Sequence, residues 1–300
     1  MSGTMRFTLN LPMAAGRFRA IPPDQYLEVA RAGEAAGFDH ISVPDNVIFP
    51  ETISAPYPYS ADGQRIWDAD TPCMDPWVVI PAMAAVTSRI GFFTNVLKLA
   101  IREPILVAKT VSSAACLSGG RVALGVGLSW MPEEFRYLHQ DMPSRGARVD
   151  EAIEVIRKLL AGGMVEYHGR YYDFDRLQMS PSPARPVPIY VGGTSAAALR
   201  RAARLGDGWL SMIHDLDELR QLIRRLRTER EAAGKPWEGF EVKVLWPFPL
   251  EVSQVRELEG IGATDLLVTP WLADGETSDA LDLKRTSLTR FAERVIGSVR

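Results

Sequence analysis

Residues 187–209, VPIYVGGTSAAALRRAARLGDGW, contain a complete strand–turn–helix unit and the start of the next apolar segment. The unit begins with apolar and β-branched residues, turns at the pair Gly192-Gly193, and continues after Thr194 and Ser195 as a basic amphipathic helix. A chain that alternates strands with helices in this way is typical of α/β proteins with a parallel sheet. The same unit recurs along the rest of the chain.

Eight short apolar segments, each followed by a stretch with helical periodicity, predict eight strands. They lie at residues 6–10, 40–43, 91–96, 122–127, 189–192, 209–212, 241–246 and 265–269. Eight alternations favour a (β/α)8 TIM barrel formed by a single domain, 1–300, because parallel strands buried on both faces are almost continuously apolar. An open doubly wound sheet is the alternative, since the number of strands does not reveal closure.

Two long segments interrupt the alternation. Residues 46–75 follow the second strand and are rich in Pro, Tyr and Asp, and residues 162–188 precede the fifth strand. The second segment contains VEYHGRYYDF, which predicts a small hairpin around His168-Gly169. Long loops at the carboxyl ends of barrel strands commonly carry function. We therefore predict a barrel with insertions after strand 2 and before strand 5.

Composition argues against several classes of protein. The formal net charge of -3 lacks the basic excess of nucleic-acid-binding proteins. Cys73 and Cys116 have no metal-binding spacing and the four histidines are scattered, so we predict no metal. The apolar run at 76–86 is about half of the roughly 20 residues that span a bilayer. Without a signal-peptide pattern, the sequence predicts a cytoplasmic protein that acts on a small molecule, not on nucleic acid or a membrane.

The glycine pair after the fifth strand is the first candidate site. Gly192 and Gly193 allow an anion to approach the backbone, and Thr194 or Ser195 can cap a helix whose first N–H groups favour negative charge. This pattern is typical of a phosphate site. A tight strand-to-helix turn with a capping hydroxyl explains the same residues equally well.

Other candidates follow the strand ends. Asp45 and Asn46 end the second strand and are expected to face the barrel mouth, although an Asx-type turn after Pro44 is an alternative. Gly125 and Gly127 lack the third glycine of a dinucleotide fingerprint, but they allow a flat ring to lie against the strand ends. A set of aromatic residues near the strand ends predicts an apolar pocket for a planar ligand. Its members are Phe49, Trp67, Trp130, Trp246 and Trp271.

Four segments, taken together, resemble one family. LSGGRVALGVGLSWMPEEF, SRGARVDEAIEVIRKLL, YHGRYYDF and PIYVGGTSAAALRRAARLGDGW follow in the order and spacing of the luciferase-like monooxygenase superfamily, and are most similar to its coenzyme F420-dependent branch. The resemblance implies a TIM barrel, a homodimer, and FMN or F420 at the mouth. It also implies a non-prolyl cis peptide within a bulge after strand three. The residues that it assigns to cofactor binding are Asp45, Thr94, Asn95, Val96, Gly127, Trp130, Gly192, Gly193 and Thr194.

The resemblance leaves three functions open. The first is hydride transfer between F420 and a small organic substrate, with Asp45 and Asn95 as catalytic residues and with Phe49, Trp67 and Trp246 lining the substrate pocket. The second is an FMNH2- and O2-dependent monooxygenase. The third is a non-catalytic flavin carrier, because Leu128 occupies the place of a catalytic glutamate in one subgroup.

Overall fold

Eight parallel strands form a closed barrel in a computed structural model that describes residues 5–13, 20–58, 60, 62–65 and 67–300. The strands are β1 (Arg6–Asn10), β2 (His40–Val43), β3 (Gly91–Thr94), β4 (Leu97–Lys98), β5 (Val122–Gly127), β6 (Met164–His168), β7 (Asp173–Gln178), β8 (Ile189–Gly192), β9 (Gly208–Ser211), β10 (Glu241–Leu245) and β11 (Asp265–Val268). The helices are α1 (Tyr26–Ala35), α2 (Pro76–Ala85), α3 (Pro104–Leu117), α4 (Pro132–Tyr137), α5 (Arg145–Leu160), α6 (Ala196–Leu205), α7 (Leu216–Ala232), α8 (Val252–Ile261), α9 (Pro270–Ala273), α10 (Leu281–Phe291) and α11 (Gly297–Val299).

The strand pairing closes the sheet. Strands β1, β2, β3, β5, β8, β9, β10 and β11 each pair in parallel with the next, and β11 pairs with β1. The short strand β4 lies beside the end of β5. The predicted TIM barrel is therefore confirmed, and the open-sheet alternative is wrong.

The barrel interior holds a small apolar cluster, separate from the larger core between the strands and the helices. Its buried members are Phe93, Ala123, Tyr190, Leu210 and Leu267. The strands are almost entirely buried because helices cover their outer faces while side chains fill the barrel. A filled interior leaves the mouth of the barrel as the place for a ligand.

A buried ionic cluster occupies the amino end of the barrel. Lys243 Nζ lies 2.5 Å from Asp265 Oδ2 and 2.8 Å from Glu241 Oε2, and it also lies over the rings of Phe93 and Tyr190. Burial alone raises the pKa of Asp265, but the Lys243 ammonium outweighs burial and holds that pKa well below its ordinary value. Residues at this end of a TIM barrel serve stability, whereas function resides at the carboxyl end.

The third strand ends earlier than predicted. The sequence predicts a strand over 91–96, but β3 ends at Thr94, and the pair Asn95–Val96 forms a non-prolyl cis peptide bond before β4 begins. Of the other seven barrel strands, four have the predicted bounds, and β9, β10 and β11 differ from the prediction by one residue at one or both ends. These small differences arise because pairing with neighbours, not local sequence, decides the last residue of a strand.

Both predicted insertions are present. The described part of residues 46–75 contains neither helix nor strand, and Tyr59, Ala61 and Ile66 lie outside the described residues. Residues 162–188 contain the antiparallel hairpin β6–β7 with a register shift between Val165 and Tyr167, which confirms the predicted hairpin.

None of the helices in the described ranges is both long and apolar enough to cross a membrane. The longest, α7, has a strongly charged outer face, as expected of a helix that covers a barrel strand on one side only. That residues 1–300 form a single domain stays a prediction.

Candidate active site

The bulge Thr94–Val96 lies where the chain leaves the third barrel strand. The Asn95 backbone N–H donates to the Val43 carbonyl at 2.7 Å. The Thr94 hydroxyl donates to the Gly125 carbonyl at 2.7 Å and accepts from the Gly125 N–H at 3.0 Å. The bulge is therefore tied to both β2 and β5, and the cis peptide lies in the segment where the resemblance implied one.

Three glycines make room for this bulge. A Cβ atom on Gly125 would lie 1.9 Å from the Thr94 carbonyl oxygen, and one on Gly127 would lie 2.6 Å from Val96 Cγ2. A Cβ atom on Gly192 would lie 3.1 Å from Val96 Cγ1. The Val96 side chain thus packs across the ends of β5 and β8, and it brings together three of the residues assigned to cofactor binding.

The turn that begins α6 has a fixed conformation. Gly193 has a φ of +110°, which favours glycine, and its carbonyl accepts a 2.8 Å hydrogen bond from Trp209 Nε1. Ser195 Oγ accepts from the Ala198 N–H at 3.2 Å, so Ser195 caps the helix and Thr194 remains partly exposed. The earlier N–H groups of a helix have no intrahelical acceptor and favour an anion. The predicted cap is confirmed, and anion binding at this turn stays a prediction.

The Asp45 carboxylate is buried and fully engaged. Its Oδ1 accepts from Arg102 at 2.8 Å, and its Oδ2 accepts from Arg102 at 2.7 Å and from the Lys98 backbone N–H at 2.8 Å. Sequence reasoning expected this side chain to face the open mouth, but it is turned onto β4 because Arg102 provides a bidentate partner there. Asp45 therefore holds the loop after β2 against the strand β4.

A buried lysine and glutamate lie beside Asp45, and sequence reasoning missed both. Lys98 Nζ donates to Asn46 Oδ1 and, at 2.5 Å, to Glu134 Oε1. The Ser129 hydroxyl donates to Glu134 Oε2 at 2.5 Å, and Glu134 is completely buried. The signal available in the sequence was a lysine within the otherwise apolar segment VLKLAI. This cluster links the loop after β2, the strand β4, the loop after β5 and the helix α4.

The amide of Asn95 contacts a second asparagine. Asn10 Oδ1 accepts from Asn95 Nδ2 at 3.3 Å and from the buried Ser42 hydroxyl at 2.9 Å. Asn10 ends β1, and sequence reasoning gave it no role. Its side-chain oxygen orients the amide of Asn95.

An aromatic cluster covers one side of the mouth. The Tyr57 ring lies 4.8 Å from Trp67 and 5.3 Å from Trp130, centroid to centroid, and Phe49 lies 6.1 Å from Trp67. All three pairs meet edge to face, a favourable arrangement for aromatic rings. Three predicted residues are brought together here, and Tyr57, which sequence reasoning missed, lies between them.

The remaining predicted tryptophans separate. Trp246 follows β10 and lies near His214 and Phe248, with ring centroids 6.5 Å and 5.6 Å away. Trp271 lies in α9 with 2% of its surface exposed and packs in the main core, to which Trp246 also belongs. Proximity in sequence to a strand end did not distinguish a mouth residue from one that packs outward.

The described residues contain no group of three or more His, Cys, Asp or Glu side chains placed to hold a metal ion. Burial raises the pKa of the Cys73 thiol, near Asp45, to about 11. That thiol is therefore protonated at neutral pH and is neither a nucleophile nor a thiolate ligand.

Comparisons with known proteins agree with this architecture. A family model described as luciferase-like monooxygenase matches residues 5–253. An uncharacterised protein of Mycobacterium tuberculosis is 42% identical over 277 residues, which cover 91% of this chain and 95% of that protein. The F420-dependent glucose-6-phosphate dehydrogenase of Nakamurella multipartita is 31% identical over 244 residues, which cover 79% of this chain and 67% of that protein.

The fold also matches solved structures. The structure of an F420-dependent secondary alcohol dehydrogenase in complex with an F420-acetone adduct superposes with a TM-score of 0.78 at 17% identity, covering 99% of this chain and all of that one. At this identity the match concerns the fold. Together with the family match over most of the sequence, it shows that the chain belongs to the luciferase-like monooxygenase family and is an oxidoreductase built on a TIM barrel.

Proposed function

We propose that this chain is a coenzyme F420-dependent oxidoreductase that transfers hydride between the deazaflavin and a small organic substrate. The observation that carries the proposal is the mouth itself, where the Gly193 turn follows β8 and the Val96 bulge packs against glycines of the adjacent strands β5 and β8. The relative from Nakamurella multipartita, named as F420-dependent, favours the deazaflavin over FMN.

The residues present fit a phosphate-bearing cofactor with a flat ring. A Cβ atom at Gly193 would lie 3.0 Å from the Ala198 Cβ, which favours glycine at this position. Without a side chain there, the backbone N–H groups of the turn are accessible to a phosphate. Gly127 and Gly192 carry no side chains, and the Val96 side chain packs against both. This part of the mouth therefore offers a flat apolar surface for a ring. In this proposal the Gly192–Thr194 turn holds the phosphate, and Val96, Gly127 and Trp130 adjoin the ring.

The bound deazaflavin supplies the hydride chemistry, and the protein supplies binding and orientation. Asn95, whose amide is oriented by Asn10, is the proposed hydrogen-bonding group beside the reacting atoms. Asp45 acts as a positioning residue, because Arg102 and the Lys98 N–H engage both of its oxygens. Phe49 and Trp67, with Tyr57, exclude water from one side of the substrate pocket.

The second candidate function is an FMNH2- and O2-dependent monooxygenase. The observation that favours it is the aromatic cover of Phe49, Tyr57, Trp67 and Trp130, because an oxygenating flavin requires protection from water. Cofactor identity separates the two candidates. A non-catalytic carrier is the third, and it predicts cofactor binding without turnover of any substrate.

We also propose that the protein is a homodimer that associates through α2 and α3. Val78, Leu106 and Leu117 lie on these two packed helices, and each exposes more than 60% of its surface. Exposed apolar side chains on neighbouring helices are typical of association surfaces.

The test of cofactor identity is a pair of fluorescence titrations of the apo-protein, one with F420 and one with FMN. We expect tight binding of F420, and Gly193→Asp to weaken it about 100-fold or more, because a carboxylate would occupy the anion site. Gly262→Asp is the matched control, since Gly262 has a φ of +116° at the far end of α8. Preference for FMN would support the monooxygenase, and binding of neither cofactor would refute both proposals.

A further inference from the structure

A cluster of three rings lies at the mouth beyond β9 and β10 and is not used by the cofactor proposal. His214 follows β9, Trp246 follows β10, and these strands are neighbours in the barrel. Phe248 completes the cluster, with ring centroids 5.4 Å from His214 and 5.6 Å from Trp246. The three rings meet edge to face at the carboxyl end of the barrel, where the enzymes of this fold bind substrate.

Two polar atoms in this cluster are hidden from water and have no partner. Trp246 Nε1 and His214 Nε2 make no hydrogen bond with any of the residues that the structure describes. Trp246 is 93% buried, with a relative exposure of 7%. Buried polar groups in proteins are nearly always paired, so these two atoms mark a place at the mouth where a polar group from outside the described residues binds.

The chemistry of the two atoms specifies that group. The indole N–H is a donor only, whereas a neutral imidazole nitrogen is either an acceptor or a donor according to its tautomer. Burial lowers the pKa of His214, so the imidazole is neutral at neutral pH. Such a pair can bind a hydroxyl, which accepts from the indole and donates to the imidazole, and can equally bind a carbonyl, which accepts from both.

The half-exposed Phe248 packs on the rings of both residues. Its ring contacts both other rings, 49% of its surface is exposed, and it stands between Pro247 and Pro249. Phe248 is therefore the side chain that a ligand entering this cluster from solvent would displace.

We propose that His214 and Trp246 bind the oxygen of a neutral alcohol or carbonyl substrate, in a subsite covered by Phe248. This inference rests on the proposed hydride-transfer function and deepens it. When an alcohol is oxidised, its carbon gives a hydride to the deazaflavin and its hydroxyl gives a proton to the neutral His214 imidazole, and both steps reverse when a carbonyl is reduced. The oxygen keeps the same place in either direction. A site with no charged partner in the ring cluster selects against carboxylate and ammonium substrates.

The test uses small probes and NMR, and it requires no turnover. The full-length protein, labelled with 15N, is titrated with cyclohexanol, cyclohexanone, cyclohexanecarboxylate and methylcyclohexane, and the indole N–H signal of Trp246 is assigned with Trp246→Phe. We expect cyclohexanol and cyclohexanone to shift that signal and the other two probes to leave it in place. The indole of Trp237, which packs on Phe240 away from the mouth, is the internal control.

Variants give the second readout. Trp246→Phe and His214→Phe should each weaken cyclohexanol binding about tenfold, the effect of one lost hydrogen bond, and Phe248→Ala should strengthen it. F420 affinity should stay within about twofold in all three, which separates this inference from the cofactor proposal. Equal shifts from methylcyclohexane, or no shift from any probe, would overturn the subsite, whether or not F420 binds. A crystal structure in which an ordered water alone pairs both atoms in the presence of cyclohexanol would also overturn it.

Discussion

Removal of the Lys98 ammonium is the sharpest test of how the mouth is held together. Lys98 Nζ lies 2.5 Å from the Glu134 carboxylate, whose side chain is completely buried, while the Lys98 side chain is 10% exposed. In Lys98→Met, the neutral Ser129 hydroxyl is the partner that the Glu134 charge keeps among the described residues. Breaking one side of a buried ion pair costs about 3–5 kcal/mol, so we expect the free energy of unfolding to fall by that amount.

A double-mutant cycle measures whether this loss comes from the unpaired charge. Glu134→Gln retains an acceptor for Ser129 and removes the charge, so Lys98→Met/Glu134→Gln should recover about 2–3 kcal/mol of the loss seen in Lys98→Met. Urea denaturation gives the free energies, and the melting temperature of the single variant should fall by roughly 6–10 °C. If the single variant were as stable as the wild type, or the double variant no more stable than Lys98→Met, the ion pair would not be what links these loops.

Three further predictions concern other parts of the barrel. Lys243→Met should lower the free energy of unfolding by about 3–5 kcal/mol. Because the folded-state pKa of Asp265 is depressed, the stabilisation that this carboxylate gives the wild type should be complete above a pH of about 4 and should decline below it, which denaturation at several pH values can follow. Gly127→Ala should cost about 1–3 kcal/mol by overpacking against Val96, and Gly127→Ala/Val96→Ala should regain part of that loss in the same denaturation assay. Leu106→Asp should convert a homodimer into a monomer in light-scattering measurements, and an unchanged mass would place the interface elsewhere.

The fold could be predicted from the sequence because each βαβ unit carries its own local signal. The apolar strands, their glycine turns and the helix periodicity all lie within about 30 residues, and every predicted barrel strand is present. The third strand is the informative exception. Its end at Thr94 depends on the Gly125 backbone and on Val96 packing against another strand, and no pattern within residues 91–96 records those contacts.

In the candidate site, too, local features could be predicted from the sequence and contacts between distant residues could not. The Gly192–Thr194 turn and the Ser195 cap are local, and the sequence indicated both. The Lys98–Glu134 pair joins residues that are 36 positions apart, and its existence depends on barrel closure. The pairing of the Asp45 side chain could not be predicted for the same reason, because its partner Arg102 lies 57 positions further along the chain.

The distribution of unpaired polar atoms distinguishes scaffold from site in this barrel. Within the described part of the chain, two buried atoms that lack a hydrogen bond lie at the amino end, His40 Nδ1 and Glu241 Oε2, and each has a charged partner within 3.5 Å. The others lie after the carboxyl ends of strands or at the starts of helices, on the opposite side of the barrel. They belong to Trp67, Trp77, Glu133, Arg145, His214 and Trp246.

That asymmetry has a physical cause. A scaffold gains nothing from an unpaired buried donor or acceptor, because such a group costs about 1–3 kcal/mol. At the amino end, the Lys243–Asp265 cluster avoids that cost because its buried charges pair with each other. In the subsite proposed at the mouth, a ligand would complete the pair His214 and Trp246, so the stability lost in the free protein would be regained as affinity in the complex.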